Sequence, residues 1–196
     1  IGNARFIEQT QQARAEAEAR EREATQLYEI TTQLASSTDM EGVLDLITAK
    51  TVDLLGCEGS GIWKYDEARG GLVLARTHNF IPELGQQAFL RPGDGTAGRA
   101  FQERRPVGSR DVFSDPSWRY SDPASEGIFR AAAIAGVQSV PITVRDEVYG
   151  ALTILFFQPH DFTDREVQLL QTLADSAAVA IGNARFIEAT QKARAE

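Results

Sequence analysis

Three groups of residues in this 196-residue chain have types or spacing that could do chemistry. Gly93-Asp94-Gly95-Thr96-Ala97-Gly98 has the G-x-G-x-x-G spacing with which a turn cradles a pyrophosphate at a helix N-terminus. That chemistry needs a parallel strand on each side of the turn and its helix. The strand signals that follow here read as antiparallel, so these glycines are expected to allow a tight turn into a short helix. The two histidines, His78 and His160, stand 82 positions apart with no Cys or Glu at ligand spacing. A metal site needs three or four convergent donors, so none is expected. His160 lies in the turn Gln158-Pro159-His160-Asp161 and is expected to be exposed. Cys57, the single cysteine, could be a reactive thiol or a cofactor anchor. Its place between a helix and a strand fits a buried small hydrophobe instead. No Ser–His–Asp or Cys–His arrangement suggests itself, so no catalytic residue is assigned and the chain is read as not an enzyme.

Composition narrows the partners. The net charge of −8 argues against a duplex-DNA binder, whose affinity comes from basic residues on phosphates. Apolar runs such as Ile154–Phe157 fall far short of the 18 or so residues that cross a bilayer. No basic leader opens the chain, and the lone cysteine fits a reducing compartment. The expectation is a cytoplasmic piece of a larger protein, with no nucleic-acid or membrane partner and no cofactor.

Residues 1–16 and 181–196 agree at fourteen of sixteen positions, differing at Gln9/Ala189 and Gln12/Lys192. An offset of 180 residues is too long for a solenoid repeat. It fits a tandem array of whole domains, or a helical linker duplicated alone. The first 35 residues, rich in Ala, Glu, Gln and Arg and without Pro, read as a linker helix continuing from a preceding module. A heptad frame puts Asn3, Thr10, Ala17, Ala24 and Thr31 at one seam position, and Phe6, Ala13, Arg20, Leu27 and Leu34 at the other. A solvated single helix is the alternative.

Thr38-Asp39-Met40-Glu41 fits a capping box, and an apolar stripe from Met40 through Leu55 ends at Gly56. Strands are expected over Gly61–Tyr65, Leu72–Thr77, Ser139–Val144 and Val148–Phe157. Between His78 and Ala135 the chain is mostly loops and short helices, and it holds most of the prolines. A second capping box, Thr163-Asp164-Arg165-Glu166, opens a helix that runs to Glu196, about 50 Å long. The fold class is α+β: an antiparallel sheet of five to six strands, with helices on one face and long terminal linker helices. The divisions are residues 1–35 as linker helix, 36–180 as domain and 181–196 as C-terminal linker helix.

Over residues 27–187 the chain resembles a GAF domain. The resemblance rests on Met40–Ile47, Pro92–Ala100, Arg105-Pro106-Val107 through Asp111 with Asp115-Pro116, Ser139–Ile142, Gly150-Ala151-Leu152 and Phe162–Glu166, in the family's order. It implies a ligand pocket on one face of the sheet, beneath the irregular segment. Asp111, Phe113, Trp118, Tyr120 and Phe129 lie in the covering stretch, Trp63 on an early strand and Ser139 on a late one. These seven are the expected ligand-binding residues, and loop packing is the alternative for each aromatic. Bilin-binding relatives carry a Cys, often followed by His, upstream of the Ser-Val-Pro strand, where this chain has Gly127-Ile128-Phe129-Arg130-Ala131-Ala132. The family's reductases use several cysteines. Its cyclic-nucleotide signature needs an Asn-Lys pair, which is missing although Asp146-Glu147 is present.

The resemblance therefore implies a regulatory sensor module of a signalling protein such as a sensor histidine kinase. It would bind a small molecule or relay a conformational change through its helices to a downstream effector. A ligand-free dimerisation spacer is the second reading, and a reductase the third. Resemblance to dimeric members implies a parallel homodimer. Ala178, Ile181, Arg185, Phe186 and Ala189 independently suggest a stripe on the last helix that a partner helix would cover.

Overall fold

The computed structural model describes residue 14 and residues 40–80, 88–119 and 123–195. The chain divides into two compact units, Ile1–Ser36 and Ser37–Glu196, and the second carries the fold. The N-terminal heptad frame, the Thr38 cap and Tyr120 lie outside the described residues.

Helix α1 spans Met40–Leu55 and buries Val43, Leu44 and Ile47. Gly56, at φ +61°, ends it; only glycine takes that left-handed position without cost. Strands β1 (Gly59–Asp66) and β2 (Gly71–His78) form a hairpin, followed by the two-residue strand β3 (Phe89–Leu90). Helix α2 (Gly95–Glu103), strand β4 (Val107–Ser109) and helix α3 (Pro123–Ala131) occupy the irregular middle. Strands β5 (Gly136–Val144) and β6 (Glu147–Phe156) form a second hairpin, and helix α4 runs from Asp164 to Ala195.

The six strands lie in the order β3-β2-β1-β6-β5-β4, and every neighbouring pair is antiparallel. The long strands β5 and β6 are buried along nearly their whole length, as strands covered on both faces must be. Both edge strands are short: β3 pairs only with Leu72 and Val73 of β2, and β4 only with residues 137–139 of β5. Strand β4 stops pairing at Val107, opposite Ser139. Pro141 therefore sits where β5 has a neighbour on one side only, a place that tolerates a missing N–H.

Register sorts the side chains between two faces, because successive residues alternate. Ser60 donates to the Thr48 carbonyl of α1 at 2.6 Å, and Arg76 of β2 pairs with Glu41 and Asp45 of the same helix. That face carries the long helices, with Gln171 of α4 donating to the Pro141 carbonyl at 3.1 Å. The second capping box forms as read: Glu166 Oε2 accepts from the Thr163 amide and hydroxyl, both at 2.7 Å. The long helices share one face as expected, while α2 covers the other.

The stripe expected on α4 divides. Ile181 is fully buried and Ala178 nearly so, and Arg185 lies over the Tyr149 ring at 5.2 Å. Phe186, in contrast, is 62% exposed. Phe186 follows Ile181 by five residues, which at 3.6 residues per turn turns it about 140° away, so only part of the stripe is left for a partner.

Candidate functional site

The sheet face opposite the long helices is built from Gly61, Trp63 and Tyr65 of β1 and the residues aligned with them. Trp63 pairs with Ala151, and Gly61 with Thr153; Thr153 pairs with Ser139 on β5. Helix α2 lies across this face. Thr96, in its first turn, places Oγ1 2.8 Å from Ser139 Oγ, which is 2.7 Å from Thr153 Oγ1. All three hydroxyls are buried. They satisfy one another where an unpaired hydroxyl would be costly.

The glycine turn sets α2 at this height. Gly93 and Gly95 have φ of +95° and +53°. At Gly98 a Cβ would stand 2.4 Å from the Arg91 carbonyl oxygen. All three glycines thus serve the turn and the seating of the helix, as the spacing suggested. The Gly95 amide donates to the Arg119 carbonyl at 3.0 Å, tying the loop 110–119 to the start of α2.

Trp63 is buried with Leu72, Ala97, Ala100, Val107 and Ala151, and meets Phe80 edge-on at a 6.5 Å centroid distance. Its indole N–H has no hydrogen-bond acceptor among the described residues. Trp118 and Phe129 come together, with centroids 5.5 Å apart, against a second cluster of Val112, Ile134, Val137 and Leu155. Phe80 packs on both clusters and joins them.

Of the other expected residues, Tyr120 lies outside the described residues, and Phe113 and Asp111 turn elsewhere. Phe113 is exposed beneath the Arg130 guanidinium at 4.7 Å. Asp111 serves its own turn: it accepts from the Phe113 amide at 3.1 Å and the Ser114 hydroxyl at 3.0 Å. Asp115 behaves alike, accepting from the Ser117 amide at 2.8 Å and hydroxyl at 2.6 Å. Partial burial pushes its pKa up, but Ser117, the Ser109 hydroxyl and the Arg99 charge outweigh that and hold it below the ordinary range. Asx turns of this kind are what Asp at loop positions commonly makes.

Apart from Cys57 and Tyr149, the buried polar side chains among the described residues are hydroxyls, a carboxamide and the Trp63 indole. Burial pushes the Cys57 thiol up to about 12 and raises Tyr149 too, against the pull of Arg185 and Arg76. Of these groups, the Thr96, Ser139 and Thr153 hydroxyls and the Trp63 indole lie on the α2 face, and they are of the kind that hydrogen-bonds an uncharged molecule.

The family model for the GAF domain matches residues 37–182. The chain belongs to the GAF family. Among solved structures, this GAF domain is similar to that of a phosphoenolpyruvate-protein phosphotransferase from Coxiella burnetii, at 23% identity and TM-score 0.72 over 85% of this chain and 96% of that one. It is also similar to a free methionine-R-sulfoxide reductase from Neisseria meningitidis, solved with its substrate, at 20% identity and TM-score 0.67 over 82% and 89%. A domain of a two-component sensor histidine kinase protein from Sinorhizobium meliloti matches at 19% identity and TM-score 0.64 over 79% and 99%. These likenesses are of fold. No curated protein matches the chain.

Two neighbours of Ser139, and one turn residue apart from the expected set, do not follow from the sequence reading. Thr96 is part of the glycine turn by spacing, and its hydroxyl meets Ser139. Thr153 carried a usable signal, as one polar residue inside the apolar run Ala151–Phe157. His160 was expected to be exposed, yet its ring stacks on Phe156 at 3.9 Å and its Nε2 lies 2.8 Å from Glu166 Oε1. The turn is short enough to fold the imidazole back onto the strand it leaves.

Proposed function

We propose that this GAF domain is a regulatory sensor module of a signalling protein such as a sensor histidine kinase, binding a small uncharged molecule beside Trp63 and signalling through α4. The observation that carries the reading is the buried Trp63 indole N–H, which has no acceptor among the described residues. An unsatisfied buried donor costs about 1–3 kcal/mol, and a ligand carbonyl, ether or hydroxyl oxygen would recover much of that. Trp118 and Phe129 belong to the second apolar cluster, which Phe80 joins to that of Trp63, and the neutral polar groups favour an uncharged guest. Native mass spectrometry of the purified chain, followed by the Trp63→Phe variant, tests this. A co-purifying molecule lost on that substitution is expected. Retention at full occupancy would remove Trp63 from the site.

The spacer reading draws support from the mutually satisfied Thr96, Ser139 and Thr153 hydroxyls, which close part of this face. For either reading we infer a parallel homodimer through the terminal helices, within an array of neighbouring modules. Val179 and Phe186 are 57% and 62% exposed, beside a groove of about 430 Å³ between α4 and the β5–β6 hairpin. Asn183, Phe186, Thr190 and Ala193 repeat the seam residues Asn3, Phe6, Thr10 and Ala13 of the N-terminal segment. Sedimentation equilibrium of the whole chain against residues 36–180 tests it; equal association of both would place the interface elsewhere.

A further inference from the structure

The turn between β6 and α4 touches both the loop 110–119 and the start of α4, and His160 makes both contacts. Its backbone N–H donates to the Arg110 carbonyl at 3.0 Å. Beside it, Arg110 Nε pairs with Asp161 at 2.8 Å. Its ring lies flat on Phe156 and edge-on to Phe162, centroids 3.9 and 4.9 Å away. Ring stacking on one side and Gly136 behind hold it in place: a Cβ on Gly136 would come within 2.9 Å of the His160 Cβ. The ring Nε2 reaches Glu166 Oε1 at 2.8 Å. The other oxygen of that carboxylate closes the capping box on Thr163.

One carboxylate thus serves the helix cap with one oxygen and the turn with the other. Displacing the turn moves the His160 ring, and the ring is bonded to the group that holds the first turn of α4. The loop that touches the turn begins at Arg110 and ends at Arg119, whose carbonyl accepts from the Gly95 amide at the start of α2.

We propose that His160 is the joint that couples the loop 110–119 to the N-terminal turn of α4. The proposal rests on the reading of α4 as the output element. Coupling of this kind needs a contiguous element that both ends bias, and the Arg110–His160–Glu166–Thr163 chain of contacts supplies one. His160 acts here as a positioning residue, moving no proton and touching no ligand.

The test uses the full chain without ligand, so its outcome is independent of whether a molecule co-purifies. Amide exchange of Glu166 and Val167 is followed by NMR in four forms: wild type, Arg110→Ala, His160→Phe and the double variant. Phenylalanine keeps the stack on Phe156 and the backbone N–H but cannot bond to Glu166. Arg110→Ala is expected to speed exchange at Val167 by about two- to fivefold, the size an exposed ion pair supports. In the His160→Phe background it should add nothing. His160→Gln, whose amide can donate to Glu166, should restore the response, and it also serves should the phenylalanine variant fold poorly. An unchanged Val167 rate in Arg110→Ala, or the same acceleration without the imidazole, would overturn the joint.

Discussion

Thr96 Oγ1 and Ser139 Oγ stand 2.8 Å apart, joining the first turn of α2 to the middle of β5 across 43 residues of sequence. Ser139 also meets Thr153, so it is the centre of the chain of hydroxyls and Thr96 an end. Ser139→Ala removes both bonds and strands two buried hydroxyls, at an expected cost of about 1–3 kcal/mol for each. Thr96→Val removes one bond and leaves Ser139 its contact with Thr153, so it should cost less. Urea unfolding of the two variants gives the order; a reversed order would mean that the hydroxyls do not act as a chain.

Backbone proximity sets a second expectation. A Cβ on Gly150 would lie 1.8 Å from the Trp63 carbonyl oxygen, in the ladder between β6 and β1. Neither strand can move without breaking pairing, so Gly150→Ala is expected to cost on the order of 3 kcal/mol or more. Gly127 makes the contrast, for within 4 Å of its Cβ position there is nothing, and it lies inside α3. Gly127→Ala should stabilise by about 0.5–1 kcal/mol through helix propensity. Thermal denaturation of both variants separates them; similar small shifts would show that the strands can give way at Gly150.

Much of this fold was legible because its signals are local. The Thr163 capping box, the Gly56 stop, the glycine turn and the four long strands follow from spacing over a few residues. Strand β3, two residues long, carries no periodicity to read. The partners of Trp63 and Ser139 depend on register between strands far apart in sequence, and the Thr96 hydroxyl was hidden inside a motif explained by its glycines. His160 was misread because a polar residue in a proline turn is normally solvated, whereas here Phe156 and Phe162 provide a surface for it. On α4 the apolar residues form one stripe by spacing alone, whereas the fold buries Ile181 and leaves Phe186 outside.

Cys57 should be inert in the folded chain. Its thiol is buried, contacts the Thr51 carbonyl at 3.9 Å, and is pushed up to about 12 mainly by burial. The thiolate is the reactive species, so at pH 8 a thiol reagent should label it only slowly. Unfolding in guanidinium should restore the rate of a free cysteine. Rapid stoichiometric labelling of the native chain would contradict the burial.

Acid should weaken the domain through Glu166. Partial burial raises the pKa of this carboxyl, but the Thr163 amide and hydroxyl and the His160 ring outweigh it, and the group titrates below its ordinary range. The unfolded chain therefore takes up the proton first as pH falls. Its contribution is fully present above about pH 5, where the unfolded carboxyl is already ionised, and is lost as pH falls through the lower folded value. Asp115 adds to the same trend, since its carboxyl is also held down. Glu166→Gln keeps the shape of the capping box without the charge, so it removes this contribution and leaves that of Asp115. Melting temperatures of wild type and Glu166→Gln should then differ most at pH 6–7 and converge toward pH 3. A difference that stays constant over this range would mean that the carboxylate stabilises α4 by its shape alone.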